Sequence, residues 1–295
     1  MHRPAAVPLP PGLVRRAGRD AALRRWVDDL PEVLDGLREH WQLELAAPFE
    51  PGGTCSWVAP ATRRSGQPVV LKVGWKHAEA RDEADGLRAW AGAGTVRLLA
   101  EADAGPSTTA VLLEPCKPGT ALRERCAEPE QDEVVAGLLH RLWVEPPTGH
   151  AFRPLSGMCA MWAEGFEARW ADRQQVHLDR GLVTDGLATW RALSLGGVPT
   201  LLCTDLHAGN VLAAEREPWL VIDPKPYVGD RTYDVLQHAL NCPDRLLSDP
   251  LALVDRLAGL LALDRRRVRS WLFARCVVGS LDAPALHGVA RTLAP

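Results

Sequence analysis

The sequence contains no apolar stretch that approaches the roughly 20 residues required by a membrane-spanning helix. Its start lacks the apolar core of a secretory signal, and prolines at 4, 8, 10 and 11 predict an extended or irregular arm there. The seven cysteines are scattered and form no C-x-x-C pair, which argues against disulfides and against metal binding through sulfur. We therefore expect a cytoplasmic protein with reduced thiols and no membrane partner.

Internal repeats, low-complexity segments and a large excess of one charge are also missing. The net charge of −3 gives no long-range attraction to nucleic acid and only mildly favours a cationic small molecule. A short basic cluster at 265–269 has no interleaved aromatic residues, so we expect a solvated helix start there and no nucleic-acid site. With 46% hydrophobic residues, the 295-residue chain can form one globular unit of two lobes.

The most informative stretch is 201–234, which reads LLCTDLHAGNVLAAEREPWLVIDPKPYVGDRTYD. It contains two short apolar runs, each bounded by turn signals and each typical of a short strand. Asp205 and Asn210 follow the first run, and Asp223 ends the second. The three polar side chains are therefore predicted to lie at or beside strand ends, where they can meet at one point.

An Asp, an Asn five positions later and an Asp after the next strand follow the order used by protein-kinase-like enzymes. In that chemistry Asp205 positions the acceptor hydroxyl and takes its proton, while Asn210 and Asp223 hold the Mg²⁺ that bridges the phosphates of ATP. The alternative is an ordinary loop in which Asn210 and Asp223 make turn hydrogen bonds. The extended pattern D-L-H-x-x-N-V-L, followed by a strand and I-D-P, is far more specific than a lone D-x-x-x-x-N and favours the functional interpretation.

The motifs TDLHAGNVL and VIDPKPYVGDRTYDV resemble the aminoglycoside phosphotransferase superfamily. IDPK-x-x-x-GD with a Tyr-Asp pair is similar to its streptomycin 6-kinase and hydroxyurea phosphotransferase group. The resemblance implies an α+β, bilobal protein-kinase-like fold with a small β-rich N-lobe and a larger helical C-lobe, use of MgATP, and phosphorylation of a small-molecule hydroxyl. The chain departs from the family pattern at Cys203-Thr204, where the family usually places His-Gly before the catalytic Asp. We therefore expect a retuned loop.

Lys72 lies within the apolar strand pattern Pro68–Val73, where an ammonium group is costly unless it meets an anion. The kinase arrangement gives this lysine the α- and β-phosphates of ATP and a helix glutamate as its brace. Glu83 fits the family's E-A-x-G-L-R pattern in the predicted helix 76–90 and is the expected partner, with Glu79 one turn earlier. The alternatives are a lysine that snorkels at a strand edge and a solvated glutamate.

Two further segments are candidates for nucleotide contacts. The turn at Gly52, Gly53 and Thr54 is predicted to lie over the phosphates because glycine allows close backbone approach, although a plain hairpin turn is the alternative. No Gly-Lys-Ser/Thr follows it, so it is not a Walker loop. Downstream, E-P-C-K-P-G predicts a stiff connector; in the resembling family this hinge binds adenine through backbone groups, which makes Glu114 and Cys116 candidates.

These signals divide the chain into a nucleotide-binding N-lobe at 1–114, a hinge at 115–119 and a C-lobe at 120–295 with the catalytic loop, metal and acceptor sites. The first helix, at 20–40, contains Pro31, which is expected to break or kink it. Further helices after the hinge are predicted at 130–144, 158–176, 182–195, 234–241, 249–263 and 265–281.

Helix 158–176 is a candidate substrate wall, in which Trp162, Glu164 and Glu167 would meet a guanidinium or amine of the acceptor. Core packing is the plainer interpretation of this helix. The acceptor expected here is a small molecule, with a cationic aminoglycoside favoured.

Lys225 stands two residues after a proposed metal ligand. It is expected to contact a phosphate or the acceptor, or to pair with Asp230 or Asp234, and the sequence does not separate these choices. Asp234 precedes a predicted helix, so its carboxylate caps that helix or holds the catalytic loop.

The sequence therefore predicts an ATP-dependent O-phosphotransferase acting on streptomycin or a close aminocyclitol antibiotic. A second hypothesis keeps the fold and changes the acceptor to hydroxyurea or another small metabolite. A third, supported by Cys203-Thr204, is a nucleotide-binding pseudokinase. A eukaryotic-type protein kinase is disfavoured because neither D-F-G nor A-P-E follows Asp223.

Overall fold

A computed structural model of the protein describes residues 7–77, 81–172 and 178–295. Pro4, Glu79 and parts of the helices expected at 76–90 and 158–176 lie outside the described residues. The chain divides into two compact units, which are described separately. The first unit comprises the chain up to Gly119 together with Ala214–Pro218, and the second comprises Thr120–Ala213 and Trp219–Pro295.

The first unit is built on an antiparallel sheet in the order β1-β2-β3-β5-β4. Its strands are β1 (Leu43–Leu45), β2 (Ser56–Arg63), β3 (Pro68–Trp75), β4 (Leu98–Asp103) and β5 (Thr108–Leu113). Strand β3 is central, and Lys72 lies opposite Val58 of β2 and Val111 of β5. Because side chains alternate along a strand, the neighbours Leu71 and Val73 enter the hydrophobic core while Lys72 faces the other side.

In the described part of this unit, the sheet is accompanied by the helices α1 (Pro11–Ala17), α2 (Ala21–Trp41) and α3 (Glu83–Trp90). Of the break or kink expected at Pro31, the break is wrong, because α2 runs through this proline and buries Leu30 and Leu34 on either side. The irregular arm is also wrong for the residues of α1, which has its proline at the first turn, where the missing N–H costs no hydrogen bond. Helix α3 begins later than expected, at Glu83.

The second unit is mainly helical. Its helices are α4 (Leu122–Arg125), α5 (Glu128–Leu142), α6 (Leu155–Asp172), α7 (Arg180–Ser194), α8 (Val235–Leu240), α9 (Pro243–Ser248), α10 (Pro250–Leu261), α11 (Arg265–Gly279) and α12 (Ala285–Leu293). Of these, α4, α9 and α12 were not expected from the sequence. Trp190, Tyr233 and Trp271 meet edge-to-face or tilted at the centre of the unit, with ring centroids 5.3 to 5.9 Å apart.

Two small antiparallel sheets complete the second unit. Strand β6 (Pro199–Leu202) pairs with β9 (Tyr227–Asp230), and β7 (Val211–Ala213) pairs with β8 (Trp219–Val221). The polar residues singled out in the sequence lie in the connections between these strands. Within the described part of the chain, no helix combines the length and apolar character needed to cross a bilayer.

Candidate active site

Asn210 and Asp223 flank the open end of the β7–β8 hairpin. Val211 pairs with Val221, and the Ile222 N–H donates to the Asn210 carbonyl over 2.9 Å, so the two polar residues leave the hairpin side by side. Asp223 adopts a left-handed backbone with φ 52°. Such a conformation is uncommon outside glycine, although Asp tolerates it better than most residues.

Asp205 lies in the loop between β6 and β7, which leads into the first strand of the same hairpin. Its N–H donates to the Cys203 carbonyl over 2.8 Å, and its own carbonyl accepts the Asn210 side-chain Nδ2–H over 3.0 Å. His207 closes the following 3₁₀ turn, because its Nδ1 accepts the Gly209 N–H over 3.1 Å. Burial lowers the pKa of His207, which suits a neutral ring with Nδ1 as acceptor.

Lys225 has a partner that the sequence hypotheses did not include. Its ammonium group forms an ion pair with Oδ2 of Asp205. The Lys225 backbone N–H also donates to the Cys203 carbonyl over 2.9 Å, which brings the segment after Asp223 against the loop that carries Asp205. No spacing rule predicts this pair, because the two residues belong to different connections and meet only through the β6–β9 and β7–β8 pairings.

Asp234 holds the loop that carries Asp205 and does not cap α8 through its side chain. Its carboxylate accepts the N–H groups of Cys203 over 3.1 Å, Thr204 over 2.7 Å and the Trp143 indole over 3.0 Å. Burial raises the pKa of Asp234 to about 6, and these hydrogen bonds act in the opposite direction. Of the two roles left open by the sequence, the structure therefore favours support of the loop.

In the first unit, Lys72 and Glu83 form a buried ion pair. The Lys72 Nζ lies 2.7 and 2.6 Å from the two carboxylate oxygens of Glu83, and the residues are 9% and 6% exposed. A charge this well buried requires a partner, so the lysine is not a strand-edge residue reaching for water. Strand β3 and the first residue of α3 supply the two halves of the pair.

The glycine turn before β2 is packed against the N-terminal segment. Gly52 has φ +72°, and a Cβ placed on it would lie 2.3 Å from the Pro10 Cβ. The Gly12 N–H donates to the Pro51 carbonyl over 3.2 Å, which adds a backbone contact from α1. The absence of a side chain at Gly52 therefore allows Pro10 to pack closely against it and allows the positive φ of the turn. Gly53 and Thr54 follow in the same turn.

The side chain of the connector residue Glu114 forms an ion pair with Arg216. The Arg216 Nε donates to both Glu114 carboxylate oxygens over 2.9 and 3.2 Å, and its other nitrogens donate to the Gly92 and Thr95 carbonyls, each over 2.8 Å. Sequence reasoning missed Arg216, because a surface-turn arginine has no local signature for a partner 102 residues away. Nearby, burial raises the pKa of the Cys116 thiol to about 11.

The candidate acceptor residues on α6 have protein partners or face solvent. The Trp162 ring stacks on Trp190 with centroids 6.2 Å apart and also lies under the Arg275 guanidinium at 4.8 Å. Glu167 pairs with Arg191 over 2.7 Å, and Glu164 is exposed. The Trp162 ring, which was predicted to contact a cationic group of the acceptor, is thus already in contact with the Arg275 guanidinium of the protein.

A second polar cluster lies on α5, α8, α9 and α10. The buried Asp132 accepts bonds from His238 over 2.8 Å, from Arg245 over 2.8 and 3.0 Å and from Arg256 over 2.6 Å. Burial alone would raise the Asp132 pKa, but these bonds outweigh it and hold the pKa at about 2. Cys242 completes a group whose donor atoms lie within 4.8 Å of one another. Two guanidinium groups on the carboxylate make this cluster a structural ion network and disfavour a divalent cation.

The fold is similar to that of solved aminoglycoside phosphotransferases. The crystal structure of the enzyme APH(4)-Ia superposes with a TM-score of 0.60 at 16% identity, covering 88% of this chain and 97% of that chain. Ternary complexes of its thermostable mutants contain ADP or AMP-PNP with hygromycin B. The α+β fold of this chain is therefore that of the protein-kinase-like phosphotransferases.

The sequence comparisons show the family within this class. A family model described as "Aminoglycoside/hydroxyurea antibiotic resistance kinase" matches residues 40–283, and the chain belongs to that family. A hydroxyurea phosphotransferase from Kitasatospora aureofaciens is 38% identical over 94% of this chain and 80% of its own length. A streptomycin 6-kinase from Streptomyces glaucescens is 34% identical over 97% of this chain and 94% of its own length. The protein is thus a phosphotransferase with an alcohol group as acceptor.

Proposed function

We propose that this protein is an ATP-dependent kinase that phosphorylates a hydroxyl of an aminoglycoside antibiotic, streptomycin, and thereby gives resistance to it. The observation that carries the proposal is the hairpin end that places Asn210 beside Asp223, with Asp205 bonded to Asn210 in the same loop. The match to a streptomycin 6-kinase over nearly the whole length of both chains supports the choice of acceptor.

Asp205 is the residue assigned to the acceptor. Its Oδ2 receives the Lys225 ammonium, so we assign Oδ1 to the hydroxyl that attacks the terminal phosphate. Asp205 would orient this hydroxyl and accept its proton as the phosphoryl group moves. Lys225, at its side, would offset negative charge on that group.

The donor set at the hairpin end fits a magnesium ion. The Asn210 Nδ2 is used by the Asp205 carbonyl, which leaves the amide oxygen as a ligand, and Asp223 adds a carboxylate. Oxygen ligands of these types are those that Mg²⁺ prefers, with water and phosphate oxygens completing its shell. Asn210 and Asp223 would hold this ion, which would supply positive charge to offset the charge of the nucleotide phosphates.

We assign nucleotide binding to the N-lobe at 1–114 with the hinge at 115–119, and the catalytic, metal and acceptor sites to the C-lobe at 120–295. Lys72 would contact the α- and β-phosphates while Glu83 fixes its direction. The turn at Gly52–Thr54 would offer backbone N–H groups to phosphate, and the backbone near Glu114 and Cys116 would meet adenine. The ADP and AMP-PNP complexes of APH(4)-Ia support an adenine nucleotide as donor.

Hydroxyurea is the second candidate acceptor, favoured by the 38% identity to a hydroxyurea phosphotransferase. Both acceptors present a hydroxyl to Asp205, so the catalytic residues are shared and only the acceptor pocket differs. For streptomycin, whose guanidinium groups are cationic, Trp162, Glu164 and Glu167 stay candidate contacts. A comparison of turnover on the two acceptors separates these proposals.

The test is MgATP turnover with streptomycin and with hydroxyurea, followed by ADP release, for the natural protein and for Asp205→Asn. We expect turnover of streptomycin and a loss of at least about 10²-fold in Asp205→Asn, the size of contribution that a positioned acid–base group makes. Asp185→Asn, the same change at an exposed residue of α7, is the control and should retain full activity. Turnover of hydroxyurea alone would change the acceptor, and MgATP binding without turnover of either would favour a pseudokinase.

A further inference from the structure

Thr204, the residue immediately before Asp205, has a strained backbone. Its φ of 51° lies in the left-handed region, which β-branched residues rarely adopt because their branched Cβ crowds the backbone. Its counterpart across the site, Asp223, has φ 52°. Strain of this kind persists only where the surrounding structure holds the residue in place.

Hydrogen bonds to Asp234 and Lys225 hold Thr204 and the residue before it in place. The Thr204 N–H donates to Oδ1 of Asp234 over 2.7 Å, and its hydroxyl donates to the Lys225 carbonyl over 2.5 Å. In return, the Lys225 N–H donates to the carbonyl of Cys203 over 2.9 Å. Thr204 is only 7% exposed, so water has little access to replace its hydroxyl.

The hydroxyl bond fixes the backbone of the residue whose ammonium group pairs with Asp205. Thr204 thus lies next to Asp205 along the chain and is bonded to Lys225 across the site. We propose that Thr204 is a positioning residue for phosphoryl transfer, whose hydroxyl sets the direction of the Lys225–Asp205 pair. This inference rests on the role proposed above for Asp205.

Three variants separate the hydroxyl from the strain. Thr204→Val keeps the branched, strained side chain but leaves the Lys225 carbonyl without its donor, so we expect kcat to fall about 10- to 100-fold, as for a small misplacement of reacting groups. Thr204→Ser keeps the hydroxyl and should retain kcat within about threefold. Thr204→Gly relieves the strain yet loses the hydroxyl, so its Tm should stay at or above that of the natural protein while kcat still falls.

Thr200→Val is the matched control. Thr200 is also 7% exposed, lies on β6 and donates its hydroxyl to the Val198 carbonyl over 3.0 Å, but it has no bond to Lys225. Its loss should lower Tm without changing kcat. The proposal is overturned if Thr204→Val keeps kcat within about threefold, if it loses no more than Thr200→Val, or if Thr204→Gly is fully active.

Coupling to Lys225 gives a further readout. If the hydroxyl acts through Lys225, Thr204→Val should cost much less kcat in a Lys225→Met background than in the natural protein. Losses that simply multiply would mean that Thr204 acts elsewhere and would overturn the inference. The KM for ATP should change less than about threefold in each Thr204 variant, since the hydroxyl is not assigned a nucleotide contact.

Amide hydrogen exchange tests the geometry without any acceptor. We expect exchange in 203–205 and 223–226 to be faster in Thr204→Val and unchanged in Thr200→Val, because the reciprocal bonds between these segments would loosen. Unchanged exchange in Thr204→Val would overturn the positioning role even if the acceptor assignment is correct. If no acceptor is turned over, the proposed function fails, and the exchange result alone decides the role of Thr204.

Discussion

The ammonium group of Lys225 lies on Oδ2 of Asp205, so the carboxylate assigned to the acceptor hydroxyl has a fixed cationic neighbour. The pair is partly accessible, with side chains 25% and 15% exposed, as a site that must receive a substrate requires. This contact gives Asp205 a preferred orientation and places positive charge beside the atom that would take the proton. The following predictions begin from it.

Replacement of Lys225 by Met should lower kcat by about 10²-fold or more, since it removes the ion-pair partner of Asp205 and the charge that we propose to face the transferring group. The KM for the acceptor should change less than kcat. Lys76→Met, at an exposed lysine just after β3, is the control for the loss of one ammonium group. Steady-state kinetics with both substrates varied will measure the effect, and kcat within threefold of the natural value in Lys225→Met would contradict it.

Replacement of Glu83 by Gln should raise the KM for ATP and lower the free energy of unfolding by about 3 kcal/mol, because it leaves the buried Lys72 ammonium with a neutral partner. Asp85→Asn on the same helix is the control, since its ion pair with Arg88 is more than half exposed and contributes about 0 to 1 kcal/mol. Chemical unfolding and MgATP titration measure both effects. Equal stability losses in the two variants would show that the Lys72–Glu83 pair has no special role.

Gly52→Ala should destabilise the first unit, because the new Cβ would lie 2.3 Å from that of Pro10 and φ is +72°. Gly66→Ala is a close control, since Gly66 has φ +84° but open space around its Cβ position. The control should cost about 1 kcal/mol of backbone strain, and Gly52→Ala should cost clearly more. Adding Pro10→Gly to Gly52→Ala should restore part of the difference in thermal unfolding; no restoration would exclude the clash as the cause.

Asp234 should make the protein less stable as pH rises through the weakly acidic range. Its pKa in the folded state is raised to about 6 from a usual 3.8. The unfolded chain therefore loses its proton first, so stability falls between these values by up to about 3 kcal/mol and is level above pH 6. Asp234→Asn should lack this slope while losing activity at every pH, because its amide NH2 would face either the Thr204 N–H or the N–H groups of Cys203 and Trp143, which are all donors. The prediction is contradicted if the free energies of unfolding of the natural protein and of Asp234→Asn change with pH by the same amount between pH 4 and 7.

Asp132 should show the opposite pH dependence. Its folded pKa of about 2 lies below the usual 3.8, so its ionised form contributes stability above pH 4 that is lost as pH falls through 4 to 2. The contribution corresponds to about 2 kcal/mol, and Asp132→Asn should remove the acid-side slope. Removal of the charge also leaves Arg245 and Arg256 without their shared partner, so the variant should be less stable at neutral pH. Denaturant unfolding across this range measures both effects.

Much of the site follows from local sequence. An apolar run that ends in Asp223, and a loop that carries Asp205 and Asn210 five residues apart, predict a phosphotransfer site because strand ends and turn lengths bring these side chains together over short distances. Lys72 lies in an apolar strand, so the sequence around it already predicts that its ammonium group needs an anionic partner, and the family pattern indicated Glu83 as that partner. The family comparison agrees with the group that these motifs resemble.

Other features depend on contacts between distant segments. Lys225 forms an ion pair with Asp205, Arg216 donates hydrogen bonds to Glu114, and Pro10 packs against Gly52. In each case the partners meet only after strands and helices have paired. The backbone strain at Thr204 also could not be predicted from the sequence, since the φ angle depends on the contacts that hold the residue and not on its identity alone. Sequence thus determined which chemical groups are present and their local spacing. Tertiary structure decided which of them touch, because long-range packing and buried charge select partners that no local pattern specifies.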